Sequence, residues 1–565
     1  MIEAGQVARG PSERRIPARP PRAASAFAAA LLCALVLPAC TKVGTAGEGA
    51  RHNATTQPHV LRYADLGDVT NLNPLFDPDL VLAWMSEMTM AWLIRYDHAN
   101  QPVPELATEV PSLANGGISP DGKTITFHLR KGAKWSDGAP FDADDVVFST
   151  RVILDPKTNV LSRDGWDLIR RIDEPDKYTV IYHLSKPYSP FVATFFSTGG
   201  ANPAIMPKHV LAKTADINKD PYNALPVGIG PFRYVAWKRG DRVEMEANPN
   251  YWRGLPKLKR VEYRIIPSRD TILSGLQTGD VDLWPIAAAN YYPRLLRVPS
   301  ITVIKQPSYA FNHLDFNVTR PALRDPAVRT ALRMAMDRVA MRHLVSHDIG
   351  ILQDGVLSPA SPYFDPKIRF VAYDAARANA VLDAAGWRRG PDGIREKNGV
   401  RLSLDVVSNS GSPDTDTRIE LIRSWWKKIG VEFVRKNVDP TLLFAPYANG
   451  GIIQTGKFDV VFFAWFTDAS GSLAGIYSCR LIPPKGQNDT HWCNPAAEAA
   501  MDDLKGTYDV ARQRRDDAIV QESLARDVPV IVTAVAEDLY AYNTDLTGFH
   551  PNQVSEFDDM MNVDI

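Results

Sequence analysis

Along residues 124–130, Ile125, Phe127 and Leu129 alternate with Thr124, Thr126, His128 and Arg130. That period of two predicts a strand with one buried face. After Trp135, the run Ser136-Asp137-Gly138 predicts a turn, because it offers side-chain acceptors and a residue tolerant of positive φ. Asp142 then predicts a helix N-cap, with Asp144 and Asp145 in the first turn near the positive end of the helix dipole and Val146, Val147 and Ile153 on the buried side. Similar patterns predict strands from Val60, over 178–184, in two segments meeting at Lys238-Arg239-Gly240-Asp241, and over 261–266, 431–433 and 460–463. Helices are predicted over 80–96, over 270–277 before Gly279, from the Asp325-Pro326 cap, over 373–386 and over 418–429. In the helix after Asp325 the apolar stripe is Val328, Leu332, Ala335 and Met336; in the last one it is Ile422, Trp425, Trp426 and Ile429. Alternating strands and helices predict an α/β fold.

Composition changes the picture mainly at the N-terminus. The 565 residues, 45% hydrophobic, suffice for more than one core and argue against disorder. The first forty residues differ from the rest: five Arg precede an apolar run over 26–37, too short to span a bilayer stably, which predicts an export signal over 1–39. Its end, Leu37-Pro38-Ala39-Cys40, resembles a lipobox, with Cys40 as the acylated first residue of the mature chain; ordinary cleavage nearby is the alternative. Residues 40–57 are small and polar, as a tether would be. The net charge of −1 gives no sign of a nucleic-acid partner. Cys479 and Cys493 enclose a short loop, and in an exported chain they predict a disulfide, with two free thiols as the alternative.

Three motif-like stretches are decoys. Residues 117–124, GISPDGKT, fit the P-loop pattern letter for letter, yet the alternation that follows is a strand, whereas a P-loop must open a helix to hold phosphate. Gly228-Ile229-Gly230 lacks the third glycine of a dinucleotide fingerprint and predicts a close backbone crossing. His343 and His347 stand at i and i+4, but spacing fixes no third metal ligand; no metal and no cofactor is expected. Neither G-x-S-x-G nor H-E-x-x-H occurs, which counts against an exported hydrolase.

The stretch Phe127–Ser149 resembles the signature of the peptide-type extracellular solute-binding proteins, the receptors of oligopeptide and dipeptide ABC importers. The likeness continues through Asn71-Leu72-Asn73-Pro74, Pro104-Glu105-Leu106-Ala107, the 228–232 and 248–252 segments, Gly279-Asp280-Val281-Asp282 and Val328-Arg329-Thr330-Ala331-Leu332. The resemblance implies a two-lobed periplasmic binding protein of type II with an additional α/β domain. Its expected parts are lobe I over 58–96, 226–307 and 531–565, the additional domain over 97–225, and lobe II over 308–530. It implies a monomeric receptor, not an enzyme, that closes on a short peptide and delivers it to a permease and ATPase complex, exported and lipid-anchored at the membrane.

The resemblance also places the ligand. Phe463-Ala464-Trp465-Phe466-Thr467-Asp468 resembles the family's ligand loop, so Asp468 is expected to pair with the peptide α-ammonium and Trp465 to line the pocket, core packing being the alternative for Trp465. Asn71 and Asn73 fall where the family approaches its cleft; bonding their own turn is the alternative. Arg418 lies in a region suited to hold the ligand carboxylate, with a surface ion pair as the alternative. After Asp468 the chain reads Ala469-Ser470-Gly471-Ser472 where many relatives carry a second acid and a proline. That departure leaves room for receptors of nickel complexes, haem, opines or oligosaccharides, and a periplasmic chaperone is the reading from another class.

Overall fold

The computed structural model describes residues 53–565 apart from 78, 161, 164, 199–202, 468, 469 and 558. The export signal, Cys40 and most of the tether lie outside the described residues, as does Asp468. The principal strands are β1 (Val60–Asp65), β2 (Thr124–His128), β3 (Ile169–Asp176), β4 (Thr179–Leu184), β5 (Phe232–Lys238), β6 (Arg242–Ala247) and β7 (Arg260–Ile265). They continue as β8 (Leu283–Trp284), β9 (Ile301–Phe316), β10 (Ser403–Asn409), β11 (Glu432–Val438), β12 (Val460–Phe466) and β13 (Val530–Asn543).

Among the described residues, ten of these strands form one mixed sheet in the order β11-β10-β12-β9-β13-β8-β1-β7-β6-β5. Within the described sheet its two wings are joined through β9 and β13, which run antiparallel along the middle. β9 takes β12 on one side, from Ala310↔Phe466 to Phe316↔Val460, while β13 takes β8 at its far end. The ladder between the two long strands breaks twice: the register shifts between Asn312 and His313, and Pro307 pairs with Glu537 and Phe311 with Val535, leaving 308–310 opposite a single residue. Proline supplies no amide to the ladder, so a bulge at this point costs little pairing.

A smaller sheet, β2-β4-β3, packs with the helix Ala143–Leu154 around a core containing Phe127, Trp135, Tyr182 and Phe191. The predicted alternation holds here, with Ile125, Phe127 and Leu129 buried. Asp142 caps the helix in a capping box with Asp145. Asp145 is not the exposed dipole partner that its position suggests. It is 4% exposed and accepts from the Trp135 indole at 3.1 Å, the Asp142 amide at 3.3 Å and the Lys208 amide at 2.9 Å, so one carboxylate satisfies three donors.

Several boundaries differ from the sequence expectation. The first helix is Leu80–Thr89 rather than 80–96, because the Thr89 carbonyl accepts from the Gly230 amide at 2.9 Å and the chain then turns so that Leu93 can donate to the Phe196 carbonyl. This crossing explains both glycines: a Cβ on Gly228 would overlap the Thr89 carbonyl oxygen, and one on Gly230 would lie 2.6 Å from the Met88 and Met90 oxygens. The helix expected over 418–429 starts earlier, as Pro413–Lys428, since Ser412 caps it and Pro413 occupies its first turn. His347 is not on the helix face of His343. The helix Arg338–Ser346 ends in His347 at φ 50°, and His343 Nδ1 pairs with Asp348 at 2.9 Å. No cluster of His, Cys, Asp and Glu able to hold a metal occurs among the described residues.

The P-loop lookalike is a turn with Gly122 at φ 68° leading into β2. Cys479 and Cys493 are bonded, with Cα atoms 4.9 Å apart. No helix among the described residues is long and apolar enough to cross a membrane.

Candidate functional site

The site forms where β12 ends. Val460 and Phe462 bury one side of that strand, while Val461 and Phe463 bury the other, together with Trp465. Past Phe463 the burial stops: Phe466 is 69% exposed although it is aromatic and strand-paired. Thr467 then donates through both its amide, at 3.1 Å, and its hydroxyl, at 3.2 Å, to the carbonyl of Tyr309 in the β9 bulge. The bulge thus holds Thr467, the residue just past the end of β12.

Against Phe463 of β12 lies a fully buried polar cluster. His313, Asp315 and Asp489 are all 0% exposed; His313 Nδ1 meets the Phe311 carbonyl at 3.3 Å and Nε2 meets Asp315 at 3.0 Å. Burial holds the His313 imidazole down to about 4 and pushes the Asp315 carboxyl up to about 7, with Asp489 and the Trp465 indole pulling Asp315 back. Burial also drives Asp489 well above the carboxylate range, reinforced by the negative charge of Asp315. A neutral His313 with its proton on Nδ1, accepting at Nε2 from protonated Asp315, satisfies this arrangement without a buried net charge.

Two cavities meet at Ser470. One of about 740 Å³ is lined by Trp166, Tyr188 and Thr194 on the side of residues 97–225 and by Ser472, Gly475 and Lys505 on the other. A second of about 330 Å³ is lined by Tyr96, Leu113 and Val192 against Tyr363, Tyr508 and Gln513. Ser470 lines both. Between them the walls touch directly: Ser189 donates through its amide to the Lys505 carbonyl at 2.8 Å and through its hydroxyl to the Leu504 carbonyl at 2.7 Å, and Tyr508 Oη donates to the Tyr188 carbonyl at 2.8 Å. This is a cleft whose two walls touch through those hydrogen bonds, and no histidine is among the residues that line it.

Residues 101–481 match the family described as "Bacterial extracellular solute-binding proteins, family 5 Middle", about two thirds of the chain. The chain belongs to the family 5 solute-binding proteins. The chain of this solute-binding protein is 25% identical over 534 residues to the oligopeptide-binding protein AppA of Bacillus subtilis, covering 93% of this chain and 95% of that one. Against the solved structure of AppA with a nonapeptide it superposes with a TM-score of 0.70 at 24% identity, over 89% of this chain and 98% of that one. It is 26% identical to the dipeptide-binding protein of Escherichia coli, over 71% of this chain and 76% of that one. NikZ of Campylobacter jejuni, solved with Ni(L-His), shares the fold at TM-score 0.73 and 23% identity, over 90% of this chain and all of that one. The family 5 fold is thus a two-lobed binding fold, and this member is a receptor rather than an enzyme.

None of the expected ligand residues that the structure describes lines either cavity at Ser470. Asp468 lies outside the described residues, between Thr467 and Ser470. Trp465 is half-buried, its ring centroid 5.2 Å from that of Phe463, and it packs against two core clusters rather than lining either cavity at Ser470. Asn71 accepts from the Asn73 amide at 2.8 Å, and Asn73, 2% exposed, donates to Asn223 Oδ1 at 2.8 Å; both serve their turn and its packing. Arg418 donates to Ser346 Oγ at 2.8 Å and lines a separate cavity of about 110 Å³ beside Asn312 and Glu537. Sequence reasoning missed Tyr508 and Lys505 as cleft residues, for which no local signal exists, and named Ser470 only as a departure from the family's loop.

Proposed function

We propose that this receptor captures short peptides in the cleft at Ser470 and delivers them to an ABC permease and its ATPase. The observation that carries the reading is the pair of cavities that share Ser470, two residues beyond Asp468, within a chain that matches an oligopeptide-binding relative along nearly its whole length. Asp468 is the partner for the peptide α-ammonium, because a carboxylate inside a closing cleft gains most from an ammonium counter-charge. The parts work as lobe I (58–96, 226–307, 531–565), an additional domain (97–225) and lobe II (308–530), closing about β9 and β13. Ligand shifts the open–closed equilibrium by the contacts it makes only in the closed form. The protein acts as a monomer outside the cytoplasmic membrane, anchored through lipid on Cys40, with the Cys479–Cys493 disulfide intact in that oxidising setting.

The test is a thermal-shift screen of the chain from Cys40 against di-, tri- and longer peptides, their N-acetylated forms, nickel–histidine, haem and an opine, with Asp468→Ala in parallel. The reading expects stabilisation by free peptides that disappears with N-acetylation and in the variant. Stabilisation by another ligand class and by no peptide would overturn the peptide assignment.

A further inference from the structure

Gln353, Asp365, Asp517 and Gln521 line neither cavity at Ser470. All four are more than nine-tenths buried, and in each of them one side-chain oxygen accepts no hydrogen bond: Gln353 Oε1, Asp365 Oδ2, Asp517 Oδ1 and Gln521 Oε1. The two amides cannot be turned to relieve this. Gln521 Nε2 already donates to Asp517 Oδ2 at 2.6 Å and to the Tyr363 carbonyl at 2.8 Å. Gln353 Nε2 donates to the Gly355 and Leu357 carbonyls at 2.8 and 2.6 Å. A flip would set each amide oxygen against those acceptors. Buried acceptors left without a donor are costly, so four of them together call for an electropositive partner.

The four groups come from two stretches of chain that meet near Gly355. Asp517 and Gln521 stand one turn apart on the helix Val510–Asp527, while Gln353 and Asp365 belong to the segment that Gln521 ties to that helix. A Cβ on Gly355 would lie 3.8 Å from Gln353 Nε2 and 3.9 Å from Gln521 Oε1, so both amides border the space that this glycine leaves open. Burial, reinforced by the like charge of Asp365, pushes the Asp517 carboxyl up to about 8. Neither carboxylate is in an ion pair among the described residues. A water could donate to two of the oxygens but would leave the two acids repelling one another. A hard divalent cation meets both demands, since calcium takes carboxylate, carboxamide and main-chain oxygens in irregular geometry and two carboxylates balance its charge. Half of the donors here are carboxamides, so the set needs no third acid or histidine.

We propose that Asp365 and Asp517, with the side-chain oxygens of Gln353 and Gln521, bind a calcium ion that joins the helix Val510–Asp527 to the segment over 353–365. The site does not depend on the peptide reading. Its effect reaches the cleft through Tyr363, which lines the 330 Å³ cavity. The Tyr363 carbonyl is held by Gln521, its hydroxyl donates to Gln513 Oε1 at 3.1 Å, and its ring fills the space that a Cβ on Gly471, the neighbour of Ser470, would need. The ion therefore steadies one wall of the cleft.

Two measurements decide it. In the first, the chain from Cys40 is stripped with EGTA and calcium is titrated back at constant ionic strength, in the wild type and in the double variant Asp365→Asn/Asp517→Asn. The asparagines keep the shape and remove the charge. The expected result is a saturable rise in Tm of about 3 °C or more in the wild type and none in the double variant. Magnesium should act less, because it fits an irregular oxygen cage poorly. No response to calcium in the wild type means that the two acids share a proton instead, and it overturns the site, as does an equal response in both proteins. Equal stabilisation by magnesium overturns the assignment to calcium. The second measurement does not need the double variant to fold: terbium luminescence, sensitised by the nearby tyrosine, is titrated in the wild type and in Asp365→Asn. The proposal expects one terbium per chain, displaced by calcium and bound about tenfold more weakly in the variant. Absence of sensitised emission, or terbium affinity equal in the two proteins, overturns it.

Discussion

Tyr508 Oη donates to the main-chain carbonyl of Tyr188 at 2.8 Å, across the cleft. The Tyr508 ring is held by the turn that imitates a P-loop, since a Cβ on Gly122 would approach that ring to 3.0 Å. Tyr508→Phe keeps the ring and loses the bond. The expected result is a loss of about 1 kcal/mol of closed-state stability and a severalfold weaker ligand affinity, measured by calorimetric titration alongside chemical denaturation.

Gly228 crosses the end of the first helix so closely that any Cβ meets the Thr89 carbonyl. Gly228→Ala must therefore displace backbone, and a loss of about 3 kcal/mol or more is expected by denaturant unfolding. Gly67, around which a Cβ would meet nothing within 4 Å, is the control, and Gly67→Ala should change stability far less.

The buried His313–Asp315 pair gives a signed pH dependence. Asp315 is pushed up to about 7 in the folded chain, so its contribution to stability is full below the unfolded carboxyl value and is lost as pH rises through about 7. His313 is held down to about 4, so its contribution is present above the ordinary imidazole value and is lost as pH falls through about 4. The two oppose each other in mild acid, but from near neutrality to about pH 8 only carboxyls act. Asp517, 1% exposed and pushed up to about 8 by burial, adds the same sign. Scanning calorimetry should show Tm falling across that upper window, with a shallower slope in Asp315→Asn. An unchanged slope would place the titration elsewhere.

The Cys479–Cys493 bond closes a loop with a sequence separation of 14 and holds Asp489 beside Asp315 and the start of the helix Pro495–Gly506. Replacing both cysteines by serine should cost about 3 kcal/mol by the chain-entropy argument, read by urea unfolding. Because Lys505 lies in the last turn of that helix and Tyr508 follows it, ligand affinity should fall in the same variant.

The sequence by itself determined the local elements whose signals are local. The strand over Thr124–His128, the Asp142 cap, the Asp325-Pro326 helix start and the Gly279 stop depend on side-chain period, φ tolerance and capping chemistry within a few residues. It also excluded the P-loop, because a strand cannot present a helix dipole to phosphate. The tertiary structure alone decided where helices stop against distant backbone, as Leu80–Thr89 does on Gly230, and which acids are buried, as Asp145, Asp315 and Asp489 are. It likewise decided that Asn73 serves Asn223, that Arg418 faces a different cavity from Ser470, and that Lys186 and Lys505, 319 positions apart in the numbering, line one space. The register of β9 with β13, between segments more than two hundred residues apart, is likewise set by packing of whole faces, which no short stretch of sequence encodes.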